Sequence, residues 1–318
     1  MKNAVQVILN KCMGLKSNEK CLILTDNSDD KKYISELLFE EASKISEIVE
    51  KQIISVAKVN GEEPEDFVAE KMKEFDVILI LTDKSMTHTK ARKNASTQGT
   101  RIASMPGINK DIMERCIDVN YDEMKKLTNK ICDKLDVTKK VRIVTKQGSD
   151  FTFSINGRLS HGREAGINSG KGDYSNLPEA ESFIAPIEGT ANGIYVIDAS
   201  QAGVGKLDSP IKITVKDGFA VKIEGDIKAT EFDEMLKNIN DKNAYNIAEL
   251  GIGTNKKAII TGIILEDEKV YGTCHIALGN NFGFGGNVNV GVHVVGVINS
   301  PTIYFDDEKV FDEGEFLF

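Results

Sequence analysis

The sequence predicts an α/β protein, with a parallel-sheet domain in the first part of the chain and a β-rich α+β domain after it. Three observations carry this prediction. Short apolar runs alternate with segments of helical spacing up to about residue 135, the pattern of a parallel sheet covered on both faces. From Lys140 onward the texture becomes strand, turn, strand, with few helical stretches. A length of 318 residues suits two domains, each with its own core.

The N-terminal stretch MKNAVQVILNKCMG has apolar residues broken by Gln6, Asn10 and Lys11. It reads as an amphipathic helix, without the long apolar core and small-residue cleavage site of a signal peptide. Cys21–Thr25 is a first strand, ending at the loop residue Asp26. Lys32 to Val49 has helical spacing, with Ile34, Leu37, Leu38, Ala42, Ile45 and Ile48 on one face. Ile53–Val56 is β-rich, and Pro64–Phe75 is helical with its proline near the first turn. Asp76–Leu81 is the clearest buried strand. A helix over Thr87–Ser96 and a strand over Arg101–Met105 follow, then a helix over Tyr121–Leu135. Strands are expected at Val141–Thr145, Phe151–Ile155, Ile194–Ile197, Ile211–Val215 and Ala220–Ile223. Only Thr230–Ile239 and Asn243–Leu250 look helical there. The boundary is placed so that residues 1–136 form the α/β domain and 137–318 the β-rich one.

A net charge of −9 gives no support to nucleic acid or an anionic membrane surface as a partner. No window approaches the roughly 20 apolar residues that a membrane span needs. The five cysteines are scattered, odd in number and form no CxxC pair. They read as reduced thiols, and the expected compartment is the cytoplasm.

Chemistry is most concentrated near the C-terminus. Of four histidines, His275 and His293 share residues 272–298, a segment with seven glycines. Two imidazoles presented by short strands across glycine turns can bind one transition-metal ion. Two buried, hydrogen-bonded core histidines would give the same spacing. Glu249 ends a predicted helix just before Gly251-Ile252-Gly253, whose glycines allow a reversal that points it inward. A solvated helix-end glutamate is the alternative. Glu181 precedes an apolar strand start, and Glu266-Asp267-Glu268-Lys269 reads as a surface turn. His88 lies between Thr87 and Thr89 at a helix start with Arg92 one turn on, which suits either an anion-binding or proton-transfer group or a capping cluster. His161 gives no reading alone. P-loop, dinucleotide and nucleophile-elbow signatures are absent. Cys274 points away from its strand neighbour His275.

Taken in order, several stretches carry a resemblance. They are Ser85-Met86-Thr87-His88-Thr89 with Ala91-Arg92, Arg101 to Gly107, Asn176-Leu177-Pro178, Ala248 to Asn255, Leu265 to Lys269, His275 to Gly279, and the His293 segment. Together they resemble the aminopeptidase T family of metallopeptidases, in its shorter and broader branch. That branch includes the non-haem iron dioxygenases that open 2,5-dihydroxypyridine. The resemblance implies a flavodoxin-like N-terminal domain, a β-rich C-terminal domain holding the metal, and a homo-oligomer, a dimer at least. It implies ligands at Glu181, Glu249, His275 and His293, the aminopeptidases holding two metals with these plus a tyrosine and an aspartate. The tyrosine position falls at or near Phe282, and the aspartate position falls on Val295 in His293-Val294-Val295-Gly296-Val297-Ile298.

The leading expectation is a metal-dependent hydrolase acting on a peptide or other small molecule. Glu249, His275 and His293 would hold one divalent ion (Zn, Fe(II), Mn or Co) that activates water. Glu181 would be a further ligand or general base, and His88 a proton-transfer or substrate-orienting group. Two alternatives stand beside it: a ring-cleaving Fe(II) dioxygenase of the 2,5-dihydroxypyridine type, and a metal-free binding or assembly protein with a degenerate site.

Overall fold

A computed structural model of the chain describes residues 1–26 and 28–318. It separates into two compact units, Met1–Asn120 with Glu164–Glu179, and Tyr121–Arg163 with Ala180–Phe318. The division falls before the helix Tyr121–Val137, not after it, because Ile131 and Leu135 of that helix belong to the core of the second unit. Residues 164–179 return to the first unit and add the strand Tyr174–Asn176 to its sheet.

In the first unit five parallel strands run in the order Ile48–Ile53, Lys20–Thr25, Val77–Leu81, Arg101–Ser104, Tyr174–Asn176. This is the flavodoxin-like order. The run Val77-Ile78-Leu79-Ile80-Leu81 is buried along its whole length, as a central strand covered on both faces must be. The helix expected over residues 32–49 is instead Asp29–Ala42, and Ile48–Ile53 is an edge strand where 53–56 was expected. Ile45 and Ile48 continue the helical spacing by coincidence. What decides their fate is pairing: Ile48 and Val49 lie beside Lys20 and Cys21 in the sheet. The amphipathic N-terminus forms a helical turn over Lys2–Gln6 that widens into a π-helix over Val7–Cys12, burying Val5, Ile8 and Leu9.

The second unit contains two antiparallel sheets. One has eight strands, from Phe219–Glu224 at one edge to Glu315–Phe316 at the other. The second has six, in the order Gly205–Lys206, Ser200–Gln201, His293–Asn299, Thr273–Gly279, Ile247–Gly253, Glu181–Ile184. One apolar core draws Phe151, Phe153, Tyr195 and Ile213 from the first sheet and Leu250, Ile252, Cys274, Ile276 and Ile298 from the second.

The helix expected over 243–250 is absent. A 3-10 turn, Lys242–Tyr245, leads into the strand Ile247–Gly253. Gly251 and Gly253 are poor helix formers, and strands on both sides pair this segment. All five cysteines are free and buried. No helix among the described residues is long and apolar enough to cross a membrane.

Candidate metal centre

The six-stranded sheet sorts its side chains by parity. In Thr273–Gly279, Cys274, Ile276 and Leu278 enter the core, so His275 and Ala277 stand on the opposite face. In His293–Asn299, Val294 and Ile298 enter the core, leaving His293, Val295 and Val297 opposite. Leu250, Ile252 and Ile184 likewise set Glu249, Gly251, Glu181 and Phe183 on that same second face. The sheet therefore carries an apolar face and a ligand-bearing face. A bulge between Ile247 and Glu249 shifts the register, and it aims Glu249 at the imidazoles of the neighbouring strands.

Four of the expected residues converge on this face. His275 Nε2 lies 3.3 Å from Glu181 Oε2 and 3.3 Å from Glu249 Oε1. His293 Nε2 lies 3.5 Å from the other Glu249 oxygen. His275 is fully buried, and Glu249 and Glu181 are nearly so. The backbone carbonyl of Asn280 accepts a 2.8 Å hydrogen bond from His293 Nδ1, which turns Nε2 toward the Glu249 carboxylate. Imidazole nitrogens and carboxylate oxygens are the donor types that hold a divalent transition metal. Burial alone would raise the Glu249 carboxyl. The His275 hydrogen bond, the two imidazoles and the Lys269 ammonium outweigh it and hold the group below the usual carboxylate range.

The donor set therefore fits one divalent transition metal: two imidazoles sharing a carboxylate, with a second carboxylate adjacent. One glycine makes this possible. Gly251 lies directly across from His275, and a Cβ there would sit 1.9 Å from Nε2 and 2.2 Å from Cε1. The ring rests on the bare backbone.

Two parts of the site were misread or missed in the sequence. Glu266, Asp267 and Lys269 are fully buried, so the predicted surface turn is a correction. Asp267 accepts from the Thr261 and Gly262 amides and Glu266 from the Ile259 amide, which pins the 259–262 loop. Lys269 Nζ lies 2.6 Å from Glu181 Oε1 and 2.7 Å from Glu268 Oε1. The second missed part is an aromatic wall. His161 stacks on Phe183 at 5.2 Å, and the edge of Phe284 meets Phe183 at 5.6 Å and His293 at 5.8 Å. No motif advertised these rings, because strand pairing and a loop bring them together.

Val295 is buried in a small apolar cluster with Ala199, Ala248, Ala277 and Val297. Phe282 is 66% exposed and takes no part in the cluster of ligands. His88 belongs to the first unit and is exposed in a turn just before the helix Lys90–Thr97, whose cap is Thr89 accepting from the Arg92 amide. Within that unit Thr87 Oγ1 is 2.8 Å from both Ser104 Oγ and Asn176 Oδ1, so the histidine-bearing segment is tied to two strand ends.

Comparison with known proteins bears on what such a site does. The family model described as "NicX: 2,5-dihydroxypyridine 5,6-dioxygenase" matches residues 1–318. A 2,5-dihydroxypyridine 5,6-dioxygenase from Pseudomonas putida is 24% identical over 256 residues, 74% of this chain and 70% of that protein. The solved structure of 2,5-dihydroxypyridine dioxygenase from Pseudomonas putida KT2440 superposes with a TM-score of 0.82 at 18% identity, over 99% of this chain and 96% of that one. Wild-type AmpT from Thermus thermophilus superposes with a TM-score of 0.71 at 15% identity, over 100% and 98%. These two structures share the fold with this chain. The family match favours the dioxygenase alternative over the hydrolase placed first from sequence.

Proposed function

The chain belongs to the NicX, 2,5-dihydroxypyridine 5,6-dioxygenase, family, and from that premise we propose that it opens the ring of a small dihydroxylated nitrogen heteroaromatic with dioxygen, using one Fe(II). The observation that supports this most is the convergence of buried His275 and Glu249 with half-buried His293 on one sheet face. Two histidines and one carboxylate are the donor set that suits non-haem Fe(II). These three residues would hold the ion. Bound there, Fe(II) supplies redox chemistry with dioxygen and polarises a substrate oxygen.

The remaining steps belong to the chain's own groups. Lys269 fixes Glu181 through one carboxylate oxygen, and the other stands beside His275. In this reading Glu181 would take the proton of a substrate hydroxyl. Phe183, Phe284 and His161 offer ring faces and edges beside His293. A planar heteroaromatic can stack there while water is kept from the reacting edge. His88 is assigned no step.

The test is anaerobic purification, loading with Fe(II), and oxygen uptake with 2,5-dihydroxypyridine and a panel of related dihydroxy-heteroaromatics. Iron-dependent uptake with ring opening is expected, lost in His275→Ala and His293→Ala together with the bound iron. Absence of iron-dependent uptake across the panel refutes the dioxygenase reading. Equal metal content in the wild type and both variants refutes the ligand set.

A further inference from the structure

The site contains a cation of its own. Lys269 is fully buried, and its ammonium bridges Glu181 Oε1 at 2.6 Å and Glu268 Oε1 at 2.7 Å. A buried lysine is uncommon, and its place here is built. Its backbone is held by the Asn255 amide, which donates to the Lys269 carbonyl at 2.8 Å. The backbone of Lys269 and Val270 also lies directly on Gly253, where a Cβ would stand 2.7 Å from the Lys269 carbonyl carbon and 2.2 Å from the Val270 oxygen. Glycine at 253 lets the lysine segment approach the strand that carries Glu249.

Its position matters more than its burial. Among the described residues, donor atoms of Glu181, Glu268 and His275 lie within 4.8 Å of one another, a grouping able to hold a metal ion. The ammonium sits on the two carboxylates of that grouping. Glu181, Glu249 and Glu268 bring three formal negative charges, and Lys269 returns one positive. The net charge of −2 is what a single divalent ion at the His275–Glu249–His293 end neutralises, and a buried cluster is stable only when its charges are compensated.

We propose that Lys269 takes the place of a second metal ion, so that its ammonium restricts the cluster to one divalent cation. The inference rests on the reading that His275, His293 and Glu249 hold a metal, and it adds why they hold only one. Removing the ammonium takes the cluster from −2 to −3, so one divalent ion leaves a charge of −1 on the carboxylates of Glu181 and Glu268, which draws a second cation to the place the ammonium held. A lysine present only to stabilise the fold would leave the metal count unchanged.

The full chain, stripped by chelator and reloaded with Mn(II) alone, is desalted and its bound metal counted by atomic absorption. Electron paramagnetic resonance distinguishes isolated from exchange-coupled Mn(II). One equivalent with an isolated signal is expected in the wild type and in Lys269→Arg, and two equivalents with a coupled signal in Lys269→Met. One equivalent in Lys269→Met overturns the inference and leaves the proposed metal site standing. Two equivalents in the wild type overturn the inference alone, and none in the wild type overturns both. Should Lys269→Met not fold, Lys269→Gln decides, because it also removes the ammonium: two equivalents with a coupled signal support the inference, and one equivalent overturns it.

Discussion

Gly251→Ala tests the geometry of the centre without replacing any residue proposed to hold the metal. Gly251 is in the extended strand Ile247–Gly253, a backbone that alanine adopts without strain. All of the effect must then come from the added methyl group. Its carbon would stand 1.9 Å from Nε2, 2.2 Å from Cε1 and 2.7 Å from Cδ2 of His275. To regain ordinary contact the ring must retreat by about 1.5 Å. His275 is fully buried, so that retreat costs about 1–3 kcal/mol as overpacking, or roughly 2–12 °C in melting temperature. Disturbing a group that merely orients a ligand lowers metal affinity about 10–100-fold. Moving the ligand itself should reach the upper end of that range or pass it. The measurement is a Mn(II) titration of the stripped protein beside thermal melts followed by circular dichroism. Gly283→Ala serves as control, since nothing lies within 4 Å of a Cβ there. The expected result is a folded Gly251→Ala protein with a metal affinity at least about 100-fold weaker and an unchanged Gly283→Ala protein. Wild-type affinity in Gly251→Ala would mean that His275 does not ligate through the edge facing Gly251.

Three further outcomes follow from the same structure. Phe284→Ala removes a ring packed edge-on against Phe183 and His293. Aromatic contacts of this kind contribute about 0.5–1.5 kcal/mol, so steady-state oxygen uptake should show KM for the heteroaromatic substrate raised about 2- to 10-fold, and an unchanged KM would remove the ring from the substrate's surroundings. Val295→Asp places a carboxylate across Ala277 from Glu249. Buried among Ala199, Ala277 and Val297, the charge should lower the melting temperature of the stripped protein and enlarge the rise on adding Mn(II), whereas an identical rise in wild type and variant would show that this position does not face the ion. Glu19 accepts from both Arg101 terminal nitrogens at 2.9 and 2.7 Å, and that pairing holds its carboxyl below the usual carboxylate range. A depressed folded-state pKa gives stability that is complete above the unfolded value near 4.3 and fades as pH falls through the lower folded one. Urea melts should therefore show Glu19→Gln less stable than wild type at pH 7, with the gap closing below about pH 4. A gap constant with pH would contradict the ion-pair account.

The residues of the candidate metal centre were legible in the sequence for reasons that differ residue by residue. His275 and His293 stood out by rarity and by the glycines around them, and the strand parity that turns them to one face can be read from Cys274, Ile276, Val294 and Ile298. Glu249 stood out by the glycines after it and by the resemblance, but its local structure was misread. Asn243–Leu250 has helical spacing, and only two flanking strands, one of them starting 26 residues downstream of Ile247 at Thr273, make it extended. Glu266 to Lys269 was misread for a related cause. A run of charges is ordinarily solvated, and nothing local reveals that Asp267 closes on the 261–262 amides or that Lys269 meets Glu181, which is 88 residues away. The aromatic wall has no local signal at all. In the first sheet the same limit appears at Ile48, where helical spacing continued but strand pairing prevailed. What periodicity misses is consistently a contact made by a distant segment.

Val295 is the position where the resemblance expects an aspartate, and the sheet register bears on what its loss costs. Glu249, Ala277 and Val295 lie in one cross-strand row. Only the small side chain of Ala277 separates the position that lacks a carboxylate from one that has it. A metal held by His275 and His293 can therefore take its carboxylate from the Glu249 end of the row without either histidine changing strand or face. The longer glutamate side chain and the bulge before it supply the reach. In this arrangement the Val295 end is apolar, packed against Ile260 and Ile264, and it contributes no charge. Had an aspartate stood there beside Glu181, Glu249 and Glu268, the cluster would carry one more negative charge, and a single divalent ion with Lys269 would no longer balance it. The valine and the buried lysine are thus two parts of one charge balance. Val295→Asp combined with Lys269→Met should accept two Mn(II) more readily than Lys269→Met alone.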